Sequence, residues 1–376
     1  MEFSLSEEQV QLSDSVRRLL ADRYAFEQRR AIVRGSGRCP ELWQKLAELG
    51  VPALTVPEQY GGLGVTAEFI VPVAQAFGYA LCIEPFLSTV AATTALRLTS
   101  NSAFATEVLS AIASGERIAA YAHLEAGAGH DPFWIETSAT PHDAEWRLHG
   151  RKLHVLHAEA ADHFVVSARV GADGGPALFL VNRNAAQVRS YRLIDDSPAG
   201  ELQLTGTPAL PLGDPHDAAH ARNAIILTRR ALHAAACGEV FGLMKRAYQL
   251  TIEHLRTRQQ FGRPIGEYQA LRHRAAEMLL SLEAGRSMTM AVVAALSAPD
   301  SPAGALDILR ARLVLTRQGR SLCQSAIQLH GAIGMTEEHP VGHCLRRLEV
   351  LEQLLGDSSV CTAELADLLA SAESLA

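Results

Sequence analysis

The clearest chemistry in this chain lies in the segment Arg256-Thr-Arg-Gln-Gln-Phe-Gly-Arg-Pro-Ile-Gly-Glu-Tyr-Gln269. It gathers three arginines, Arg256, Arg258 and Arg263, around Phe261. A guanidinium presents a planar fork of N–H donors that matches two phosphate oxygens, so arginines fixed at a corner suit a phosphate-bearing ligand. The same residues also suit a plain charged turn between helices, and residue types alone leave both readings open. The loop Val56-Pro-Glu-Gln-Tyr-Gly-Gly-Leu-Gly64 has glycines that can cradle phosphate, but no strand precedes it and it reads as a turn. The six cysteines, Cys39, Cys82, Cys237, Cys323, Cys344 and Cys361, form no CxxC pair, and no HxxEH spacing occurs. A zinc site or a disulfide framework is therefore not expected, and a reducing compartment is.

The elements that must position the arginine corner are long helices. Val240, Leu243, Met244, Ala247, Leu250, Thr251, His254 and Leu255 recur at three- and four-residue steps. Cationic residues, then Gly262 and Pro264, predict the end of that helix. A second helix is expected from about Glu267 to Leu296, so the corner links two antiparallel helices. Helices near 303–330 and 341–374 complete a C-terminal four-helix bundle over 215–376.

Upstream, Ser6 and Gln9 form a capping box, and a second helix carries Leu42, Trp43, Leu46 and Leu49 before a Gly50 stop. From Thr66 to about Gly115 the text is again helical, which predicts a helical N-terminal domain over 1–117. The pattern then changes. Trp146 to Val155 alternates apolar and polar residues around His149-Gly150, read as a hairpin turn. His163–Val170, Ala177–Val181 and Leu202–Leu204 are further strands, predicting a small antiparallel β-barrel over 118–214. The fold class is thus mostly α with a central β domain. Apolar residues at 48%, charged residues at 20% and a net charge of −7 describe a globular protein with no nucleic-acid footprint. A polar, acidic N-terminus predicts no signal peptide, and no run reads as a membrane span, so a soluble cytoplasmic protein is expected.

This order, with several specific words, resembles the acyl-CoA dehydrogenase family, flavoproteins that oxidise the Cα–Cβ bond of acyl-CoA thioesters. The Val56–Gly64 loop is similar to the family's N-domain loop. Arg256–Gln269 is similar to its R-x-x-F-G-x-x-I-x-x-x-Q word, and Gln328-Leu-His-Gly-Ala-Ile-Gly334 to its Q-x-x-G-G-x-G word, with Ala332 in place of a glycine. Gly334-Met-Thr-Glu-Glu, Gly342-His-Cys-Leu-Arg-Arg-Leu and Gly356-Asp357 resemble the small-subunit branch, including the small subunit of pimeloyl-CoA dehydrogenase. The resemblance implies FAD as cofactor, with Arg258, Phe261, Gln328, Gly331 and Gly334 reaching the ADP half of FAD held by a neighbouring subunit. It also implies an acyl-CoA substrate, with dicarboxylyl- or steroid-type groups in that branch, and electron-transfer flavoprotein or a similar acceptor.

Two parts depart from the family pattern. Where L-T-E-P-x-A-G-S-D is usual, the chain has Leu124-Glu-Ala-Gly-Ala-Gly-His-Asp131, and where W/F-I-T-N is usual, Leu156 replaces the hydroxyl residue. The base is also missing: Leu355 stands where most members place a glutamate, and Leu232 where a minority do. Asp357 is the surviving catalytic candidate, although it also suits the N-cap of a last helix, and Glu239 suits a structural pairing with an arginine. His330 is expected to pack or hydrogen-bond locally. The expected function is a partner subunit within a heterotetramer containing a second, complete acyl-CoA dehydrogenase chain. The alternatives are a homotetrameric enzyme using Asp357 or a non-enzymatic scaffold.

Overall fold

A computed structural model describes residues 5–64, 67–99, 102–143, 145–171, 174–298 and 301–373. Helices α1 (Glu7–Arg23), α2 (Phe26–Arg34) and α3 (Pro40–Glu48) open the chain, followed by α4 (Ile70–Ala80), α5 (Phe86–Thr99) and α6 (Ala103–Ala113). The Ser6 capping box is formed, with the side chains of Ser6 and Gln9 each accepting the other's backbone N–H. The expected helical start at Thr66 and the bundle's expected end at 374 lie outside the described residues.

Strands β1 (Ala119–Ala122), β2 (Ser138–His142), β3 (Glu145–Leu156), β4 (His163–Val170), β5 (Pro176–Asn182), β6 (Gln187–Arg192) and β7 (Pro198–Leu212) form one sheet. The neighbours β4-β2-β3-β7-β5 close back on β4, which makes the sheet a barrel. Pairing is antiparallel except where β4 meets β1 and the end of β2 in parallel. Period-two alternation places Phe164, Val166, Ala177, Phe179 and Val181 in one buried cluster and Val165, Leu178 and Leu180 in another with α5 and α6. Both faces of these strands are buried, which is why they read as continuous apolar runs. The expected turn at His149-Gly150 is not there. The strand β3 runs straight through it, and the reversal falls between the paired residues His142 and Glu145. Gly150 serves a close approach instead, since a Cβ there would lie 2.5 Å from Thr137 Oγ1.

The C-terminal helices are α7 (Ala218–Thr257), α8 (Gln269–Leu296), α9 (Pro302–His330), α10 (Pro340–Leu354) and α11 (Ser358–Glu373). Between α7 and α8 sit two short strands, β8 (Gln259–Gln260) and β9 (Arg263–Pro264). The single last helix expected from sequence is two, broken at Gly356, whose φ is +89°. By its contacts the chain forms two compact units, one of 1–31, 68–82 and 233–376, the other of 32–67 and 83–232. Within the first unit α4 and α7 touch backbone to backbone. A Cβ on Gly78 would lie 2.0 Å from the Glu239 carbonyl, and one on Gly242 2.2 Å from that of Gln75. One helix among the described residues, α8, is long and apolar enough by length and composition to cross a membrane, a property the sequence reading did not credit. Its buried residues, Met278, Leu282, Val292 and Val293 among them, are those of a bundle helix that packs on α9.

Candidate functional site

The arginine corner is a hairpin. Gln259 pairs with Pro264 and Gln260 with Arg263, leaving Phe261-Gly262 as a two-residue turn. Both turn residues have positive φ, +54° and +81°, as a type I′ hairpin turn requires. So α7 stops at Thr257, and Gly262 belongs to the turn rather than to the helix end expected from sequence. The Arg258 carbonyl accepts from Ile265 N at 2.8 Å, Tyr268 donates its hydroxyl to the Gln260 carbonyl at 3.3 Å, and Arg263 lies 4.2 Å over the Tyr268 ring. The hairpin is therefore stiff, and it presents Phe261 at 91% exposure. A large aromatic held left-handed and bare to solvent is a costly arrangement, of a kind found at functional positions. The exposed Arg258 guanidinium makes no hydrogen bond or ion pair among the described residues.

A second corner follows α9. Gly331, at φ +65°, turns the chain, and its N–H donates to the Gln328 and Ile327 carbonyls. Gly334 is buried, and a Cβ there would lie 2.8 Å from the Ile327 carbonyl oxygen. Gln328 is exposed, as are Ile333 and Met335. The structure joins this corner to the first one. His254, one turn before Arg258, stacks on His330 with ring centroids 4.5 Å apart and planes at 26°. Thus the five sequence-predicted ligand contacts, Arg258, Phe261, Gln328, Gly331 and Gly334, lie on two corners joined through one pair of rings. As expected, His330 also bonds locally, with Nδ1 at 2.7 Å from the Ala326 carbonyl.

The catalytic candidate fares differently. Asp357 Oδ1 accepts from Ser359 N at 2.8 Å and Val360 N at 3.0 Å, so its carboxylate caps α11. Glu239 is buried against Arg347, with Nε to Oε1 at 2.5 Å and a second bond at 3.1 Å, the structural pairing anticipated for it. The backbone at Leu355 is held by a residue that sequence reasoning missed. Arg312, 4% exposed, donates to the carbonyls of Leu355 at 2.6 Å and Glu352 at 3.2 Å, and also to that of Gly356. It lies 3.3 Å from His233 Nε2. Cys237, Val240, Arg312, Thr316, Leu351 and Glu352 line a small cavity here. Burial pushes the Cys237 thiol up to about 12, so it stays protonated. The only carboxylate among those lining residues, Glu352, is engaged by Ser358 Oγ at 3.0 Å and by Arg320. A charge on the apolar stripe Ile308, Leu309, Arg312, Leu315 was the available signal for Arg312.

In the β unit a buried network occupies the segment that departs from the family pattern. Lys152 Nζ donates to Glu125 Oε1 at 2.5 Å, Ser167 Oγ at 3.0 Å and the His123 carbonyl at 3.2 Å. Burial pushes Lys152 down to about 8, with Glu125 resisting that shift. Burial drives the Glu125 carboxyl upward, but Lys152 and backbone donors prevail and its net shift is downward. Burial, with Lys152 and Arg229, pushes His123 down to about 3, leaving it neutral beside Ser167 Oγ at 2.8 Å. His157 is bonded to the Ile83 carbonyl at 2.7 Å, and His154 to the Tyr191 hydroxyl at 2.9 Å. Among the described residues no three His, Cys, Asp or Glu side chains converge as metal ligands.

These observations test the fit to FAD half by half. On the ADP side the chain offers a guanidinium with no partner among the described residues, an exposed ring, an exposed amide and glycine backbone, all suited to a pyrophosphate and a purine. On the ring side Leu124 and Leu156 provide no side-chain hydroxyl, while the buried hydroxyl of Tyr121 has no hydrogen-bond partner among the described residues.

Comparison with known proteins agrees in extent. Family models described as acyl-CoA dehydrogenase N-terminal, middle and C-terminal domains match residues 6–116, 120–207 and 223–369. Acyl-CoA dehydrogenase FadE27 of Mycobacterium tuberculosis is 30% identical over 333 residues, 85% of this chain and 85% of that protein. Benzylmalonyl-CoA dehydrogenase of Aromatoleum aromaticum is 26% identical, over 92% of this chain and 93% of that one. The crystal structure of the ChsE4-ChsE5 complex from Mycobacterium tuberculosis aligns with a TM-score of 0.88 at 25% identity, over 98% of this chain and 99% of that one. Such enzymes are FAD flavoproteins and oxidoreductases of acyl-CoA metabolism. Three domain models in family order, over a barrel set between helical regions, lead to one conclusion: the chain belongs to the acyl-CoA dehydrogenase family.

Proposed function

We propose that this chain is the partner subunit of a heterotetrameric, cytoplasmic acyl-CoA dehydrogenase, lending contacts to FAD that a second, complete dehydrogenase chain holds mainly. The carrying observation is the outward presentation of Arg258 and Phe261 with no partner for the guanidinium among the described residues. FAD, when bound, takes up the two electrons removed as the acyl Cα–Cβ bond is oxidised, and electron-transfer flavoprotein or a similar acceptor then receives them. This chain's share is binding. Arg258 would pair with the pyrophosphate, Phe261 and Gln328 would meet the adenine side, and Gly331 and Gly334 would let backbone come close. The α-proton is taken by the partner's base, since Leu355 and Leu232 hold no proton and the Asp357 carboxylate is spent capping a helix. The two different chains named in the ChsE4-ChsE5 complex favour such an assembly.

The test is purification through a tag on this chain, alone and co-expressed with a complete dehydrogenase chain encoded beside it. Bound flavin is read by absorbance and turnover with acyl-CoA esters. The expected result is flavin and turnover in the pair only, with Arg258→Ala lowering flavin occupancy. Stoichiometric flavin and full turnover from this chain alone would favour the homotetramer and sink the partner-subunit reading. A complex with no flavin in any combination would leave only the scaffold.

A further inference from the structure

Three histidines join the two corners, and nothing in the reading above uses them. His254 sits on α7, and its carbonyl accepts the Arg258 N–H at 2.9 Å. His330 closes α9 directly before Gly331. His339 is the N-cap residue of α10, and its ring centroid lies 4.6 Å from that of His330 at 50°. The rings of His254, His330 and His339 thus form one run that ties the ends of three helices together at the base of both corners.

The run works in its neutral form. Burial comes first for each ring, followed by His330 and Arg258 for His254, and by His330, His254, Arg246 and His343 for His339. His254 and His330 are held below the ordinary imidazole value, and His339 at about 4. Beyond His339, His343 is faced by Arg29, Arg346 and Glu337, and the Glu337 carboxylate is paired to Arg346 at 2.8 Å. No carboxylate is among the groups that shift His254, His330 or His339; the Ala326 and Leu250 carbonyls favour a proton on His330, and burial outweighs them. Neutral rings at these separations attract as aromatic pairs beyond what area burial gives.

We propose that the contacting rings of His254, His330 and His339 are positioning residues that hold Arg258 against the Gln328–Gly334 turn so that both grip one anionic ligand, the ADP half of FAD. This rests on the function proposed above. Binding a ligand with a long, mobile arginine costs the entropy of ordering that side chain. A backbone already fixed through His254 lowers that cost for Arg258, and a fixed His330 does the same for the Gly331 turn. No hydrogen bond joins Arg258 to the Gln328–Gly334 segment among the described residues; that segment meets α7 through His330, which faces the His254 ring and the Leu250 backbone.

The experiment compares His254→Ala, His254→Phe and Arg258→Ala in the full chain, purified within its complex, stripped of flavin and titrated with FAD by fluorescence. Apo thermal unfolding is the second readout. The stack predicts that His254→Ala weakens FAD binding about tenfold, while His254→Phe, which keeps an aromatic face, stays within about threefold of wild type. If Arg258→Ala weakens FAD but His254→Ala does not, or if His254→Phe is as weak as His254→Ala, the stack is not what positions the corner and the inference falls. If Arg258→Ala also leaves FAD affinity unchanged, the proposed function itself fails. Equal loss of apo stability and FAD affinity in His254→Ala, without rescue by phenylalanine, marks a merely structural residue and likewise overturns the proposal.

Discussion

Replacing Arg312 by leucine tests whether the region around Leu355 is a structural lock or a residual active centre. The guanidinium is 4% exposed and donates to three backbone carbonyls, those of Glu352, Leu355 and Gly356. Hydrogen bonds to a charged group contribute about 1.5–3 kcal/mol each, so the gross loss is roughly 6 kcal/mol. Leucine also removes the cost of burying a cation, which is several kcal/mol. The expected net destabilisation is therefore about 3 kcal/mol, read as a shift of the denaturant midpoint at constant slope. Lysine, a single point charge, cannot serve three diverging carbonyls and should recover less than about half of that. Flavin occupancy of the complex should be unchanged in both variants at temperatures where they are folded. A loss below about 1 kcal/mol, or a complex whose turnover collapses while its stability holds, would refute the lock and place Arg312 in the chemistry.

Three further outcomes follow from the same geometry. Asp357→Asn keeps a good helix cap and should leave both stability and turnover of the complex unchanged, whereas Asp357→Ala should cost about 1 kcal/mol of stability; abolished turnover in the asparagine variant would restore Asp357 as the base. Phe261→Gly relieves a left-handed phenylalanine and should raise apo stability by about 1 kcal/mol while weakening FAD binding, a pairing that calorimetry and flavin titration can separate. The histidines give a pH dependence. His339 and His343 lie at about 4 in the folded chain against an unperturbed 6.5, chiefly through burial. Between those values the unfolded state binds more protons, so stability is full above about pH 6.5 and is lost as pH falls towards 4. Stability that stays flat from pH 7 to 4.5 in denaturant titrations, with no response to His339→Phe, would contradict this.

Much of the architecture was written locally. The three- and four-residue steps from Val240 to Leu255, the Ser6 capping box and the apolar runs at 163–170 and 177–181 each name their element, because a helix or strand face is set by side-chain period. Turns were less legible where two readings share residues. His149-Gly150 looks like a hairpin tip, yet the glycine answers to Thr137 just before β2, and the reversal falls between His142 and Glu145; a second hairpin, at Phe261-Gly262, reads in the sequence as a helix end.

By itself, then, the sequence determined which chemistries this chain can supply. Arg258 and Phe261 are present, Leu355 and Leu232 cannot accept a proton, and Leu124 and Leu156 carry no hydroxyl, because a side chain's functional group is fixed by its residue type. Only the tertiary structure decided what those groups meet. Whether Asp357 is a base or a cap depends on the direction of two backbone N–H groups, and whether Arg258 is paired depends on what folds beside it. Arg312 reaches Leu355 across forty-three positions and His254 meets His330 across seventy-six, separations at which only packing brings groups together. The two corners are two words in the sequence. In the fold, one stacked and one tilted pair of imidazoles lie between them.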